Sequence, residues 1–285
     1  MTDDFSDAAL VLVGHGSTLN GDSAAPTYQH ADELRRRGVF GQVLEAFWKL
    51  EPGLSGVLRG VFAKRVFIVP LFISEGYFTE EVIPREMGFC GKGETEFSRV
   101  REENGQTIYY CGPVGTHESL TDVLVARADE VVAKYPYPRL PSESERSVFI
   151  AGHGTGNNQN SRQAIEHQVE LIRGQNRYAD VHAVFMEEEP LIGAVWELAT
   201  TKNVVVVPFF ISDGLHSYED IPMLLGEAER HVRRRLAEGT PTWRNPTERN
   251  GKRVWYSRSI GDEPHMADVI MERVREMCAE IGNRQ

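Results

Sequence analysis

The sequence has few of the features that mark secreted proteins and metal-cluster proteins. It contains only three cysteines in 285 residues, and they are odd in number and widely scattered: Cys90, Cys111 and Cys278. This pattern argues against a disulfide framework and against a cysteine-based metal site. An iron–sulfur cluster is also unexpected, because such clusters usually take four thiolates. We therefore expect a reducing, cytoplasmic setting.

Long apolar runs and an excess of basic residues are also missing. No run approaches the ~18 apolar residues of a membrane span, and the acidic start MTDDFSDAAL lacks the basic region of a secretory signal. The net charge of −11 argues against broad nucleic-acid binding, which needs a basic face. We expect a globular protein that has neither a membrane nor a nucleic acid as its partner.

What the sequence does contain is an internal duplication. The segment LVLVGHGSTLN (10–20) resembles VFIAGHGTGNN (148–158), and VPLFISEGYFTEEVIP (69–84) resembles VPFFISDGLHSYEDIP (207–222). Both matches have one offset, since residues 15 and 153, and likewise 84 and 222, lie 138 positions apart. The stretch 135–146 is rich in proline and serine, which is typical of a linker. We therefore predict two domains, 1–138 and 139–285.

Both halves alternate short apolar runs with helical patterns. The runs predict strands at 8–13, 43–48, 65–72 and 107–111, and again at 147–151, 181–186, 203–210 and 253–257. Helical patterns lie near 23–37, 53–63, 79–88 and 118–134, and near 161–173, 190–200, 219–237 and 263–281. Such alternation predicts an α/β fold, with one parallel sheet flanked by helices in each half. The polar segments 88–106 and 238–252 are expected to be surface flaps.

Three residues of the second half are expected at one edge of its sheet. Ligands of open α/β sheets bind beyond the carboxyl ends of the strands. His153 follows the first predicted strand, Glu187 ends the second, and His216 follows the third. Two imidazoles with a carboxylate suit a borderline divalent metal such as Co²⁺, Fe²⁺, Ni²⁺ or Zn²⁺.

The two halves differ where this chemistry would lie. Phe78 stands at the position of His216, and Lys49 stands at the position of Glu187. The second copy therefore carries metal-capable groups where the first copy carries an aromatic ring and a cation. This difference predicts one active site rather than two, with a degenerate site in the first half.

Two assignments have alternatives at this point. Glu189 matches Glu51 of the first half and belongs to the shared scaffold, whereas Glu187 and Glu188 are specific to the second copy. Glu187 is the first choice for the carboxylate and Glu188 is the fallback. A histidine between two glycines can also be a turn residue bonded to nearby backbone. For His15, which lacks companions in its own half, we favour that structural interpretation.

The motifs GHGT (152–155), FMEEEP (185–190) and VPFFISDGLHSYEDIP (207–222) resemble those of the class II tetrapyrrole chelatases. The nearest type is the sirohydrochlorin chelatase family, of the CbiX and SirB kind, and the resemblance covers 8–134 and 147–281. It implies two tandem flavodoxin-like domains that face each other across a cleft. In that cleft a metal-free modified tetrapyrrole would receive a divalent metal without ATP.

The resemblance also implies roles for particular residues. His153 and His216 would handle the metal, and Glu187 would supply the carboxylate. The metal, Co²⁺ or Fe²⁺, would be a substrate, with no tightly bound cofactor. The chain would act as a monomer or weak homodimer. Two alternatives are a non-catalytic tetrapyrrole or metal carrier and a metal-dependent hydrolase; the second is disfavoured because no further ligand spacing completes a hydrolytic site.

Overall fold

The computed structural model describes most of the chain, namely residues 4–18, 20–94, 96–154 and 159–283. The chain divides into two compact units; the first comprises Met1–Leu120 and Pro264–Gln285, and the second comprises Thr121–Glu263. Each unit contains one five-stranded sheet. Within the described residues, no helix is both long and apolar enough to cross a membrane.

The sheet of the first unit is built around its most apolar strand. Its strands are β1 (Phe5–Gly14), β2 (Phe40–Phe47), β3 (Arg65–Pro70), β4 (Val100–Glu103) and β5 (Gln106–Tyr110). They lie in the order β2-β1-β3-β5-β4, and all but β4 are parallel. Residues 9–13 of β1 (ALVLV) are completely buried, as expected for a central strand covered on both faces.

The sheet of the second unit repeats this arrangement. Its strands are β6 (Arg146–Gly152), β7 (Asp180–Phe185), β8 (Asn203–Pro208), β9 (Thr247–Arg249) and β10 (Lys252–Tyr256). They lie in the order β7-β6-β8-β10-β9, and all but β9 are parallel. The predicted fold class, two tandem sheets flanked by helices, is confirmed. The parallel strands are those that the apolar runs predict.

The helices fall where the helical patterns predict them. They are α1 (Ala25–Arg37), α2 (Leu54–Val57), α3 (Ile83–Glu86), α4 (Leu120–Lys134), α5 (Asn160–Gly174), α6 (Val195–Leu198), α7 (Ile221–Leu224), α8 (Glu229–Ala237) and α9 (Met266–Gly282). The predicted helix at 219–237 is divided into α7 and α8. Two short π-helical turns, Phe78–Val82 and His216–Asp220, lead directly into α3 and α7.

Each sheet also has an antiparallel edge strand that the sequence patterns do not predict. β4 and β9 lie in the polar segments for which we predicted surface flaps, and that prediction is wrong for these residues. The sheets are therefore mixed rather than purely parallel. An edge strand leaves one side to solvent and needs no apolar run, so composition alone cannot reveal it. The hairpin turns do carry a signal, because both are Asn-Gly pairs with positive φ: Asn104–Gly105 and Asn250–Gly251.

The last helix of each half of the sequence belongs mostly or entirely to the compact unit of the other half. From Thr121 onward, α4 belongs to the second unit although it follows the strands of the first sheet in sequence. Conversely, α9 follows the second sheet but belongs to the first unit. The halves 1–138 and 139–285 describe the sequence repeat, and their independence as domains stays a prediction.

A buried arginine fixes each of these helices at an equivalent place. Arg273 of α9 donates two hydrogen bonds to the carbonyl oxygen of Pro113, at 3.0 and 2.7 Å. Arg127 of α4 donates to the carbonyl oxygen of Ser259 at 2.9 Å. The two arginines lie 146 positions apart, as do the two acceptors. The loops that follow β5 and β10 are thus each hydrogen-bonded to a helix from the other half of the sequence.

Candidate metal-handling site

The candidate residues of the second unit lie at the carboxyl edge of its sheet. His153 follows β6, Glu187 follows β7, and His216 lies beyond the end of β8. Because β7 and β8 flank β6 on opposite sides, the chain reverses its direction of winding here. Open α/β sheets hold their ligands at such a switch point. The structure brings the two histidine rings together, with centroids 5.0 Å apart and planes at 85°.

His153 is presented by a tight turn that requires glycine. Gly154 has a φ of +65°, a conformation that side chains rarely adopt. A Cβ at Gly154 would also lie 2.8 Å from the Cβ of Phe185 and 2.7 Å from the Cγ of Glu188. The close approach of the turn to the end of β7 therefore depends on glycine, and it leaves the imidazole about one third exposed.

The backbone selects the tautomer of His153. Its Nδ1 lies 2.8 Å from the carbonyl oxygen of Gly154. A carbonyl oxygen can only accept a hydrogen bond, so Nδ1 carries the proton. The lone pair of the neutral ring is then on Nε2, which is the nitrogen left to bind a metal. The interpretation as a turn histidine bonded to backbone is therefore compatible with a metal-handling role.

His216 begins a π-helical turn that a buried tyrosine supports. The phenol of Tyr256, on β10, donates a hydrogen bond of 2.8 Å to the carbonyl oxygen of Ser217. Burial raises the pKa of the Tyr256 phenol well above its usual range, so the group remains a donor. Single π-turns within helices occur frequently at functional sites. In this one, the side chain of His216 is about half exposed.

A carboxylate selects the tautomer of His216. Nδ1 of His216 lies 2.7 Å from Oδ2 of Asp220, four residues further along the same turn. An ionised carboxylate accepts only, so the proton again lies on Nδ1 and the lone pair on Nε2. The helical pattern near 219–237 places Asp220 at the start of a predicted helix and does not predict this contact. The spacing of four residues from His216 was the available signal.

The distance between the two rings suits a shared ion. A metal–nitrogen bond of about 2.0–2.1 Å, with tetrahedral angles at the ion, places the centroids of two coordinating imidazoles roughly 5 Å apart. The observed separation is 5.0 Å. Within the described part of the chain, however, no three His, Cys, Asp or Glu side chains converge as a ready metal site.

The two candidate carboxylates have different surroundings. Glu187 is more than half exposed, and its Oε2 lies 3.8 Å from Nδ1 of His153. Glu188 is mostly buried and pairs with Arg162 at 3.1 Å. Its other oxygen, Oε1, is buried and has no hydrogen-bond partner among the described residues. Glu187 therefore faces solvent beside His153, whereas Glu188 packs against the Gly154 turn.

The first unit reproduces this geometry without the second nitrogen ligand. Nδ1 of His15 lies 2.7 Å from the carbonyl oxygen of Gly16. The ring of Phe78 meets His15 at 5.1 Å and 81°, nearly the geometry of the histidine pair. Trp48 contacts both rings, with centroids 5.2 Å from His15 and 4.8 Å from Phe78. The Nζ of Lys49 lies 4.5 Å from the centre of the Trp48 ring.

Three other histidines have surroundings that the structure describes. His30 is buried within α1, and His182 stacks on Phe149 with centroids 5.0 Å apart. His117 bonds to the hydroxyl of Ser119 at 2.8 Å. The Thr155 that completes the GHGT motif lies outside the described residues. Among the residues singled out from the sequence, His153 thus lies near both His216 and Glu187.

Comparisons with known proteins agree with this arrangement. The CbiX family model matches residues 9–131 and 147–277. A relative from Halobacterium salinarum, named a probable sirohydrochlorin cobaltochelatase, is 40% identical over 96% of this chain and 93% of its own. A relative from Methanopyrus kandleri, named a sirohydrochlorin cobaltochelatase, is 28% identical; it matches 47% of this chain and 98% of its own. A single copy of the repeat therefore corresponds in length to an entire protein.

A solved structure shares the fold across both units. A multi-domain protein of Deinococcus radiodurans, described as structurally similar to chelatases, superposes with a TM-score of 0.74 at 29% identity. The match covers 93% of this chain and 54% of that protein, so the present chain spans about half of its length. The family match and the curated relative each extend over nearly the whole sequence. The chain belongs to the CbiX family.

Proposed function

We propose that this protein inserts a divalent metal, Co²⁺ or Fe²⁺, into sirohydrochlorin or a closely related modified tetrapyrrole without ATP. The observation that carries the proposal is the histidine pair of the second unit. Both rings are anchored through Nδ1, which leaves Nε2 as the free donor of each ring, and the ring centroids lie 5.0 Å apart. The names of the relatives from Halobacterium and Methanopyrus support the same reaction.

The reaction needs weak metal binding and a proton acceptor. As the ion enters the macrocycle, two pyrrole protons leave. His153 and His216 hold the incoming ion while it loses water, and open coordination positions let it move on to the macrocycle. The carboxylate of Glu187 can accept a proton because it is exposed and lies beside His153. An open donor set therefore suits an ion in transit better than a closed site would.

Glu187 is our choice for the working carboxylate over Glu188. The ion pair of Glu188 with Arg162 and its burial under the Gly154 turn support this choice, since both limit its reach. Cobalt is our first choice of metal, because the relatives from Halobacterium and Methanopyrus are named for it. The ligand types alone do not decide the metal, since nitrogen and oxygen donors bind several divalent ions.

We propose that the reaction needs no cofactor and no second kind of protein chain. The metal is a substrate and no tightly bound cofactor takes part. One chain already holds two copies of the repeat, so a monomer or a weak homodimer is sufficient. The product would enter cobalamin synthesis if the metal is cobalt, or siroheme synthesis if it is iron. The free cysteines are compatible with a reducing, cytoplasmic compartment.

The proposal is tested by mixing the full chain with sirohydrochlorin and Co²⁺ and following the tetrapyrrole absorbance against a protein-free control. We expect catalytic turnover from the wild type. His153→Ala should lower kcat/KM by roughly 100-fold or more, since loss of groups that merely orient metal ligands already costs about 10–100-fold. The matched control is His15→Ala, which removes the equivalent ring from the first unit and should leave the rate near that of the wild type.

Three outcomes would contradict parts of this proposal. Binding of tetrapyrrole and metal with no turnover would favour a non-catalytic carrier. Ester hydrolysis without any effect on tetrapyrroles would favour a metal-dependent hydrolase. An equal loss of activity from His15→Ala and His153→Ala would show that the first unit takes part in the chemistry.

A further inference from the structure

The contact between His216 and Asp220 is specific to the second unit. At the equivalent positions, 138 residues earlier, the first unit has Phe78 and Val82. Both pairs lie at the first and last positions of a π-helical turn. The carboxylate is therefore present where the histidine is present, and an aliphatic side chain replaces it where the ring has no nitrogen. A shared role in building the turn would not produce this pairing.

The ring of His216 is bounded on three sides. Phe210 packs against it with centroids 5.9 Å apart, and His153 meets it in the edge-to-face contact already described. Asp220 occupies its Nδ1 edge at 2.7 Å. The neighbouring acid, Glu219, faces Arg233 at 3.8 Å instead. Of the groups that the structure places around this ring, the Asp220 carboxylate is the one that sets its protonated nitrogen.

We propose that Asp220 is a positioning residue for metal insertion, which acts by holding His216 in the Nδ1-protonated tautomer with Nε2 aimed at the ion. The inference rests on the proposed function and adds a residue to it. A carboxylate that accepts the second ring proton fixes the orientation of a ligating histidine and raises its basicity. The Gly154 carbonyl performs the corresponding task for His153, but a carbonyl is uncharged. The two ligands are thus oriented by different means.

The test compares Asp220→Ala, Asp220→Asn and the matched control Glu219→Ala in the full chain. The control removes an adjacent acid from the same turn without touching His216. Co²⁺ affinity is measured by titration in the absence of tetrapyrrole, and the protonated ring nitrogen of His216 is read from its ¹⁵N chemical shifts. We expect Asp220→Ala to weaken Co²⁺ binding by about 10–100-fold and to move ring protons to Nε2.

The two other variants sharpen the interpretation. Asparagine can still accept the bond through its amide oxygen, so Asp220→Asn should keep the Nδ1 proton and recover part of the affinity. Glu219→Ala should behave like the wild type in both measurements. Melting temperatures should stay close together, because the Asp220 side chain is 37% exposed and its loss leaves no cavity.

The inference is overturned if Asp220→Ala keeps the Nδ1 proton and binds Co²⁺ like the wild type. It is also overturned if Glu219→Ala loses as much affinity as Asp220→Ala, since the effect would then be one of local charge. Failure of the proposed function is a separate result, namely a wild type that does not metallate sirohydrochlorin. The nitrogen shifts and the Co²⁺ titration can be read in either case.

Discussion

The first and second units place an aromatic ring in the same position, but the rings have different chemistry. Phe78 meets His15 at 5.1 Å, and His216 meets His153 at 5.0 Å. Phe78 also packs on Phe72, and His216 packs on Phe210, in both cases with ring centroids 5.9 Å apart. Both units therefore place a planar ring at the start of the π-helical turn. Whether that ring carries nitrogen is a separate choice, which packing does not constrain.

The groups around the ring can likewise be divided into those that both units share and those that only the second unit has. Backbone carbonyls anchor His15 and His153 in the same way, and buried tyrosines support both turns. Support of this kind is common to both units and cannot identify a site. What distinguishes the second unit is a set of polar side chains that replace apolar or cationic ones. The comparison teaches that ligand chemistry was added to, or lost from, a scaffold that did not change.

The largest expected effect comes from making the second unit resemble the first. His216→Phe should lower kcat/KM for metal insertion by roughly 100-fold or more, because it removes one of two nitrogen donors. The fold should persist, since Phe78 shows that phenylalanine fits this environment. Steady-state rates and a melting curve measure both effects. Retention of activity in this variant would break the proposed distinction between the units.

The reverse conversion should have a smaller effect. The double variant Lys49→Glu/Phe78→His gives the first unit a second histidine and a carboxylate beside His15. We expect it to bind one additional equivalent of Co²⁺, with an affinity about 10–100-fold below that of the second unit, because Val82 cannot orient the new histidine. Titration with His153→Ala in the background isolates the new site. An affinity equal to that of the second unit would argue against the role of Asp220.

The smallest expected effect concerns the tyrosines under the two π-helical turns. Tyr110 donates to the carbonyl oxygen of Thr79 at 2.7 Å, as Tyr256 does to that of Ser217. Tyr110→Phe and Tyr256→Phe should each lower the free energy of unfolding by about 1 kcal/mol, the typical net value of a hydrogen bond, or somewhat more because the carbonyl is buried. Denaturant unfolding measures this. Only Tyr256→Phe should also weaken Co²⁺ binding, and equal binding losses from both would link the two units functionally.

Much of the fold could be predicted because parallel strands covered by helices are nearly continuous apolar runs. The runs identify β1 and β6, whose central residues are buried throughout. The edge strands β4 and β9 were missed because a strand with one free side has no such run. Their Asn-Gly turns were the usable signal, and those turns were not interpreted as hairpins.

The candidate site was predictable to a similar extent. The rule that ligands bind at the carboxyl ends of strands brings His153 and His216 to one edge, and the duplication sets Glu189 apart as part of the shared scaffold. Asp220 was placed at a helix start, because the sequence does not show that the turn is π-helical or which way its side chain points. The supporting hydrogen bond from Tyr256 crosses from another strand, so no local pattern contains it.

The sequence by itself determined that the chain is a duplication and at which positions its copies differ. That information is one-dimensional, since a constant offset aligns the residues without coordinates. The tertiary structure decided to which compact unit α4 and α9 belong, because these helices lie with residues far away in the chain. It also decided which nitrogen each histidine presents. A tautomer follows from the hydrogen-bond acceptor beside the ring, and the position of that acceptor exists only in three dimensions.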